Sequence, residues 1–320
     1  MQNEPLVSVV LGTCNRLNFL KLAIDSIRLE VAPFPHEIIV VDGGSTDGTL
    51  QWLVNQKDII AIIQHNTGKW KGEKIKRKSW GYFMNLGFKC AQGKYLCMLS
   101  DDCLVVPGAI TNGCKIFEKG ITDGSPIGAV AFYWRNWPKR EKYMIGFAFG
   151  KKIFVNHGMY LRKAMEEVGY VDEKNYFFYH ADNDVCLKIW QRGYVCVDSP
   201  DSYIEHYCNL TSPHKDLIFS SQKKDLDTYL KKWQGIFEDK NEKNKRVWFE
   251  KEYQDPFFTA RKFQKLHFTK TFHSRWFRLK RQVMSKLKRK FLKQRKRAES
   301  ICFKNRPFAC DKDKHTGGTS

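Results

Sequence analysis

Two adjacent carboxylates follow a short apolar segment in the first third of the chain. The segment Tyr95–Leu99 predicts a buried strand, and Asp101 and Asp102 lie where it ends. Because side chains alternate in direction along an extended backbone, one carboxylate can bind a divalent cation while the other binds a sugar or ribose hydroxyl. Ligands of open α/β sheets bind at the carboxyl ends of strands, so the pair indicates a metal ion that holds phosphate. In isolation, such a pair is also typical of an Asp-rich turn, here before Pro107.

A third carboxylate has the same placement. Glu37–Val41 predicts a strand, and Asp42 comes directly after it. The glycine-rich turn 43–48 can present backbone N–H groups to a ligand, although such turns are also a common way to leave a strand. Three carboxylates at one edge of a sheet suit a nucleotide diphosphate with its metal ion.

The segments around these carboxylates alternate between strand and helix patterns. Residues 6–11 predict a strand, and a helical apolar spacing follows with Asn18 as its N-cap. A second helix is predicted from Thr49, a strand over 59–64 and a third helix over 80–91. This alternation favours a parallel sheet, whose strands end at one edge.

The composition is typical of a globular protein. The chain has 320 residues of which 42% are hydrophobic, enough for a substantial core. No apolar run approaches the roughly 18 residues that span a bilayer, and the N-terminus lacks a signal-peptide pattern, so we expect a cytoplasmic protein. The ten cysteines are irregularly spaced, without a Cys-x-x-Cys pair, which predicts buried free thiols rather than disulfides or a zinc site.

Positive charge is concentrated near the C-terminus. Residues 261–297 contain nine Lys, seven Arg and no acidic residue, within a chain of net charge +21. An apolar stripe from Trp276 to Phe291 crosses this segment at helical spacing, which is typical of a helix on an anionic membrane face. The alternatives are a helix that packs on the rest of the protein and a nucleic-acid-binding segment, although the remaining chain has no recognisable nucleic-acid motif.

Four segments together resemble a known family. They are Val7–Arg16, Ile38–Thr49, Asn85–Tyr95 and Leu99–Asp102. Their combination resembles the nucleotide-binding half of family 2 glycosyltransferases of the GT-A fold, over roughly residues 5–210. The resemblance implies a Rossmann-like α/β fold of nucleotide-diphospho-sugar transferases, with a mixed central sheet and helices on both faces.

The resemblance assigns roles to the residues at the sheet edge. It implies that Thr13 and Asp42 contact the base and ribose, that Asp101 contacts the ribose or sugar, and that Asp102 binds the metal ion. The family often has a second carboxylate where this chain has Gly43, so Asp42 carries that contact alone. Many members also have an Arg where this chain has Met84.

The cation expected near the diphosphate must therefore come from another position. Arg77 and Lys78 are available just upstream of the third predicted helix. We expect one of them to face the diphosphate, although a charge run is more often a solvated surface.

The segment Tyr176–Val185 resembles the family's second signature, a Glu-Asp-x-Asp sequence at the start of a helix, with Ala181 in place of the usual Glu. By this resemblance Asp182 is the catalytic base, and the helix N-terminus favours its ionised form. The alternative is an N-cap role, for which Asp184 is the better candidate.

A histidine completes the predicted site. Residues 201–206 predict a strand, and the family commonly has a metal-binding histidine where this chain has His206. Imidazole together with carboxylates suits Mn²⁺ better than Mg²⁺. A single histidine is more often structural, which is the alternative here.

These observations predict an inverting, metal-dependent glycosyltransferase of the hexosyltransferase type that uses Mn²⁺ or Mg²⁺. Its donor is a nucleotide-diphosphate sugar, expected to be a UDP-sugar, and its acceptor is a hydroxyl of a glycan or lipid-linked molecule. The alternative enzyme is a sugar nucleotidylyltransferase, for whose phosphate loop the segment 12–16 has too few glycines. We expect a catalytic domain over 1–214, divided into a nucleotide-sugar half and an acceptor half at residue 106, followed by a basic helical extension over 215–303 and a disordered tail over 304–320.

Overall fold

The computed structural model describes residues 4–66, 68–207, 215–237, 247–264 and 266. Its strands are β1 Val7–Thr13, β2 His36–Asp42, β3 Ile59–Ile63, β4 Lys69–Trp70, β5 Glu73–Lys74, β6 Tyr95–Ser100, β7 Cys103–Val105, β8 Ile127–Asn136, β9 Tyr143–Phe147, β10 Ile153–Phe154, β11 Gly158–Leu161, β12 Val195–His206 and β13 Val247–Lys251. Its helices are α1 Leu17–Val31, α2 Thr49–Leu53, α3 Trp80–Cys90, α4 Ala109–Thr122, α5 Arg162–Glu167, α6 Ala181–Gln191 and α7 Lys215–Trp233, with 3₁₀ turns at Phe149–Lys151 and Thr259–Phe263.

Eleven of the described strands form one mixed sheet, as expected. Neighbouring strands along the main path of this sheet follow the order β10-β9-β8-β11-β6-β1-β2-β3. The strands β6, β1, β2 and β3 are parallel, whereas β11, β8 and β9 continue the sheet in antiparallel pairs. The strand β12 pairs in parallel with β8 and antiparallel with β7. The parallel half therefore ends on one edge, and β12 leads back toward it.

Helices cover both faces of the sheet. Val9 and Leu11 of β1 pack in the same cluster as side chains of α1 and α4, while Val10 packs in a second cluster with side chains of α3 and α6. The apolar stripe of α1, which includes Leu20 and Ile24, is fully buried. Each such side chain stabilises the fold by about 1.5–3 kcal/mol when removed from water, so the two clusters fix the helices on the sheet.

Two local predictions were wrong. Helix α1 has Arg16 rather than Asn18 at its N-cap position, and the Leu17 N–H donates to Asp47 Oδ2 at 3.0 Å. A helix was expected from Trp248, but Val247–Lys251 forms β13, which pairs antiparallel with β9. Trp248 packs edge-on against Trp134 at 5.8 Å between ring centroids, so sheet pairing and aromatic packing override the local pattern.

The described residues up to Phe263 belong to one compact unit, which includes α7 and β13. The division into a catalytic domain over 1–214 and a helical extension stays a prediction. The predicted basic stripe from Trp276 to Phe291 and the predicted tail over 304–320 lie outside the described residues. Within the described residues, no helix combines the length and apolarity needed to cross a bilayer.

Candidate active site

The carboxyl ends of three parallel strands bring the predicted nucleotide-binding residues together. In the register of β1 with β2, Thr13 lies opposite Asp42, and in the register of β1 with β6, Gly12 lies opposite Ser100. The Thr13 hydroxyl donates to Asp101 Oδ2 at 2.8 Å. The sequence prediction that these side chains share one sheet edge is therefore reproduced in the structure.

An arginine that the sequence analysis did not select lies against the acidic pair. Arg16 donates through one terminal nitrogen to Asp101 Oδ1 at 2.8 Å and through the other to Asp102 Oδ2 at 2.6 Å. The side chains of Asp101 and Asp102 are only 4% and 6% exposed, whereas that of Arg16 is 26% exposed. Burial of two adjacent carboxylates is costly without a counter-charge, and Arg16 supplies it.

The two carboxylates differ electrostatically. Burial raises the pKa of Asp101 to about 6, although Arg16 opposes that rise. Burial acts on Asp102 in the same sense, but the charges of His206 and Arg16 outweigh it and lower the pKa of Asp102 well below its ordinary value. Asp102 therefore stays ionised to lower pH than Asp101 does, and a metal-binding carboxylate must be ionised.

Asp42 is held by the turn that follows its strand. It is fully buried, and its Oδ1 accepts from the backbone N–H groups of Gly44 and Ser45, both at 2.7 Å. Its Oδ2 accepts from the Ser45 hydroxyl. Gly44 has φ +86°, a conformation that favours glycine, so the turn geometry depends on that residue. The turn fixes the orientation of the Asp42 carboxylate.

His206 faces Asp102 across the end of β12. Its Nδ1 donates to Asn136 Oδ1 at 2.9 Å, which turns its Nε2 toward Asp102. That Nε2 lies 3.3 Å from Asp102 Oδ1. An imidazole nitrogen and a carboxylate oxygen that face each other at this distance fit a divalent cation, and the Asn136 contact is the outer partner that metal-bound histidines usually have.

A second histidine lies behind the first. The ring of His157 is 5.1 Å from that of His206 and is 3% exposed. Burial, reinforced by the nearby charge of His206, lowers the pKa of His157 to about 3. His157 is therefore neutral at physiological pH, and the sequence analysis did not select it.

Asp182 lies in the first turn of α6, as predicted. Its Oδ2 accepts from Asn156 Nδ2 at 3.3 Å, and its Oδ1 accepts from the Asn183 N–H at 2.9 Å. The α6 N-cap position is occupied by His180 at φ +64°, without a side-chain cap. Asn156 immediately precedes His157, so one loop contacts both Asp182 and the His206 side of the site.

Asp184 does not cap the helix either. It is fully buried and accepts from Tyr176 Oη at 3.1 Å, from Trp233 Nε1 at 2.8 Å and from Lys232 Nζ at 2.7 Å. These contacts attach α6 to α7. The role of Asp184 is therefore structural, which leaves Asp182 as the acid of this turn available for chemistry.

Helix α7 also holds the segment that precedes Asp182. The buried carboxylate of Asp225 accepts from three successive backbone N–H groups, those of Phe177, Phe178 and Tyr179, each at 2.9 Å. One turn further along α7, Tyr229 stacks on the ring of His180 at 4.8 Å. The conformation of the segment leading into α6 therefore depends on α7.

The two cations proposed for the diphosphate differ in placement. Burial and the Asp42 carboxylate raise the pKa of the Cys14 thiol, and the Arg77 guanidinium opposes this, so Arg77 lies within electrostatic reach of the β1 loop. The Nζ of Lys78 lies 5.0 Å from the Tyr82 ring, and the Lys78 N–H donates to Asn66 Oδ1 at 2.7 Å. Lys78, by contrast, contacts Asn66 and Tyr82.

The comparison with protein families identifies the family. The family described as Glycosyl transferase family 2 matches residues 8–169, about half of the chain. The chain belongs to this family. The matched residues contain the acidic pair, Asp42 and the loop of Asn156 and His157, whereas Asp182 and His206 lie beyond them.

Relatives of this family 2 protein are matched over only part of their own length. An uncharacterized protein of Sinorhizobium fredii is 23% identical over 247 residues, which are 68% of this chain and 26% of that protein. An uncharacterized glycosyltransferase of Rickettsia prowazekii is 31% identical over 116 residues, which are 36% of this chain and 33% of that protein. The chain therefore spans a third or less of the length of these relatives.

A solved structure supports the fold. The mannosyltransferase PcManGT from Pyrobaculum calidifontis, solved in complex with GDP-Man and Mn²⁺, superposes with a TM-score of 0.52 and 20% sequence identity. The match covers 72% of this chain and 64% of that one. The family 2 chain thus has a GT-A glycosyltransferase-like fold, as the sequence resemblance implied.

Sequence reasoning missed several residues that shape the site, among them Arg16, Asn136, His157 and Asp225. Arg16 is the last residue of the β1 loop, so its position at the carboxyl edge could have suggested it. Asn136 and Asp225 carry no such signal, because their partners lie far away in the sequence and are brought close only by the fold.

Proposed function

We propose that this family 2 protein is an inverting glycosyltransferase that moves a sugar from a nucleotide-diphosphate donor, expected to be a UDP-sugar, to an acceptor hydroxyl of a glycan or lipid-linked molecule. The proposal is supported by the family, by the GT-A-like fold and by the grouping of Thr13, Asp101 and Asp102 at one edge of the sheet. Mn²⁺ or Mg²⁺ is the proposed metal ion.

The donor lies along the carboxyl edge in this proposal. Asp42 and Thr13 contact the base and ribose, and Asp101 contacts the ribose or sugar. Asp102 Oδ1 and His206 Nε2 hold the divalent cation, which when bound offsets negative charge on the departing diphosphate. Arg16 donates to Asp101 Oδ1 and Asp102 Oδ2 and keeps both side chains oriented. Arg77 is the proposed additional cation for the diphosphate.

Asp182 acts as the general base. Its carboxylate accepts the proton of the acceptor hydroxyl while that oxygen attacks the anomeric carbon, and a single displacement of this kind inverts the anomeric centre. Asn156 donates to Asp182 Oδ2 and orients the carboxylate.

The observation that carries the proposal is the loop of Asn156 and His157. Asn156 contacts the proposed base, Asp182, and His157 packs against His206, which faces the acidic pair. A general base must lie within reach of the atom it deprotonates, beside the electrophilic centre. This loop therefore links the acidic pair after β6, His206 at the end of β12 and Asp182 in α6.

A screen of nucleotide-sugar hydrolysis in the presence of Mn²⁺ tests the proposal. We expect the full chain to release nucleoside diphosphate from one donor class, UDP-sugars first, and to lose this activity when the metal is chelated. NMR of the transfer product should then show an inverted anomeric centre. Failure to bind or cleave any UDP-sugar or GDP-sugar, in protein shown to be folded, would contradict the proposal.

A further inference from the structure

A compact group of metal-ligating side chains lies beside the acidic pair. The sulfur of Cys103 and ring nitrogens of His157 and His206 all lie within 4.8 Å of one another. Cys103 begins β7 and lies opposite His206 in the pairing of β7 with β12. The carbonyl of His157 accepts from the Phe132 N–H of β8 at 2.9 Å. The backbone of the sheet therefore fixes all three side chains.

Among the described residues, the only side-chain hydrogen-bond partner of the His157 imidazole is a thiol. The residue is 3% exposed, and its neutral ring has one N–H group and one lone pair to satisfy. Within the part of the chain that the structure describes, both ring nitrogens contact the same group, the Cys103 sulfur, at 3.8 Å for Nδ1 and 3.7 Å for Nε2. A thiol is a weak donor and a weak acceptor, and one thiol does not satisfy both nitrogens. Buried polar atoms in this situation usually have a further partner.

The spacing of the three groups suits a metal ion. Tetrahedral zinc, with bonds of about 2.3 Å to sulfur and about 2.0 Å to nitrogen, separates these ligand atoms by about 3.6 Å. The Cys103 sulfur lies 3.7 Å from Nε2 of His157, close to that separation, and the ligand atoms of all three residues lie within 4.8 Å of one another. His206 is already oriented by Asn136, which leaves its Nε2 as the ligating atom.

The ligand types select among metals. One sulfur and two imidazole nitrogens suit Zn²⁺ and similar borderline cations, whereas Mg²⁺ and Ca²⁺ prefer oxygen. We propose that Cys103, His157 and His206 form a Zn²⁺ site, with water as the fourth ligand. On binding, the Cys103 thiol releases its proton to solvent and the sulfur bonds to the metal as a thiolate. The three ligands are far apart in the sequence, so cysteine spacing alone did not indicate the site.

His206 belongs to both metal sites, which has a functional consequence that rests on the proposed function. Zinc at the Cys103 site withdraws Nε2 of His206 from the cation held by Asp102. Zinc therefore competes with Mn²⁺-supported binding of the donor, and it lowers donor affinity in the wild-type chain more than in a Cys103→Ser variant.

Cobalt substitution tests the site directly. Metal-stripped full-length protein is titrated with Co²⁺, whose bond to a thiolate gives an intense near-ultraviolet absorption band. We expect one equivalent of Co²⁺ to produce this band and Zn²⁺ to displace it. Cys103→Ser should abolish the band, and His157→Gln should weaken Co²⁺ affinity by more than the roughly 10–100-fold typical of losing an outer-shell partner. Cys114→Ser, which removes another buried thiol, should leave the band unchanged.

Two outcomes overturn the proposal. One is the absence of the band in folded wild-type protein, which needs no variant, and the other is its persistence in Cys103→Ser. Asp102→Asn separates this site from the proposed function, because it should keep the cobalt band and lose Mn²⁺-dependent UDP binding. If that variant keeps both, the donor-site assignment fails while the zinc site stands.

Discussion

The Nε2 atom of His206 lies 3.3 Å from Oδ1 of Asp102, where the acidic pair that precedes β7 meets the end of β12. Asp102 follows β6, and His206 ends β12, which pairs with β7 immediately after the acidic pair. Burial keeps solvent from screening this contact, so a cation or an imidazolium at Oδ1 stabilises the ionised Asp102 in addition to Arg16 at Oδ2. The sheet topology thus builds a cation-binding position from residues at the ends of two strands.

Removal of the Asp102 carboxylate should abolish metal-dependent donor binding. Asp102→Ala deletes the oxygen that faces His206, while Arg16 keeps its contact with Asp101, so we expect the fold to persist. Isothermal titration of UDP with and without Mn²⁺ measures the effect, with circular dichroism as the check on folding. Asp123→Asn, on the exposed end of α4, is the matched control and should bind as the wild type does. Unchanged Mn²⁺-dependent UDP affinity in folded Asp102→Ala would remove the metal assignment.

Loss of the proposed base should affect transfer and spare donor binding. Asp182→Asn preserves the size of the side chain and its contact with the Asn183 N–H but cannot accept the acceptor proton. We expect transfer to fall by roughly 10²–10⁴-fold, the range typical of general-base loss, with UDP affinity unchanged. Steady-state assays measure the loss of transfer, and UDP titration checks that donor affinity is unchanged. Full activity would assign Asp182 a structural role.

The variants Asp184→Asn and Asp182→Asn should differ in their effect on the stability of the protein. Asp184 is buried with Lys232 and Trp233 as partners, so neutralising it leaves a lysine without its counter-charge. We expect a clear fall in thermal stability for Asp184→Asn and little change for Asp182→Asn, whose carboxylate is half-buried. Differential scanning fluorimetry of the two proteins makes the comparison.

Helix α7 should control the geometry of the segment before the base. Asp225→Asn cannot accept all three N–H groups of residues 177–179, and leaving a buried donor unsatisfied costs about 1–3 kcal/mol. We expect a lower denaturation midpoint and a lower transfer rate with donor affinity retained. Asp227→Asn, exposed on the same helix, is the matched control. Identical stability of the two variants would show that the Asp225 contacts do not hold the segment.

The metal-free protein should lose stability as pH rises through the range set by Asp101. Burial raises the pKa of Asp101 to about 6 from an ordinary 3.8, so the native state binds a proton that the unfolded state has already released. The folded-state pKa is the higher one, so this contribution to stability is present below about pH 4 and is lost as pH rises past about 6. Urea denaturation at pH 5 and pH 7 measures it. Asp101→Asn should lack this contribution and gain stability relative to the wild type at pH 7, and parallel pH profiles would contradict the assignment.

The sequence predicted the sheet edge but not all of its contacts. Thr13, Asp42 and Asp101 could be placed together because consecutive parallel strands end at the same edge, and the register of β1 with β2 reproduces this placement. The expectation that His206 joins Asp102 in a metal site came from family resemblance alone, since no periodicity relates β12 to β6. Trp248 was predicted to be helical, and its pairing in β13 depends on partners that local sequence does not reveal.

The buried polar residues were the hardest to predict. Asp225 lies in a highly charged helix where a single carboxylate looks solvated, and only the fold directs it to the N–H groups of residues 177–179. The cluster of Cys103 and His157 is equally invisible in the sequence, because the two residues meet across different strands. Such contacts satisfy groups that the fold itself buries, so their partners follow from topology rather than from spacing.

The basic segment 261–297 should bind an anionic membrane surface. It combines sixteen cationic residues, no acidic residue and an apolar stripe from Trp276 to Phe291, which is the composition of an interfacial helix. Each cation near an anionic surface contributes about 1 kcal/mol, so a few of them suffice for measurable binding. Most of the segment lies outside the described residues, so this prediction rests on the sequence.

The structure determines where the chain should be truncated to test this prediction. Phe263 is fully buried and lies 5.3 Å from the ring of Tyr207 and 5.9 Å from that of Trp137, so a truncation at Thr259 would remove a core side chain. A chain ending at Gln264 keeps Phe263 and should stay folded and cleave donor. In vesicle flotation at moderate salt, the full chain should float with anionic vesicles and the truncated chain should not. If the full chain never binds them, or the truncation at Gln264 unfolds, the segment packs on the protein instead, and salt-sensitive RNA or DNA binding lost with the truncation would assign it to nucleic acid.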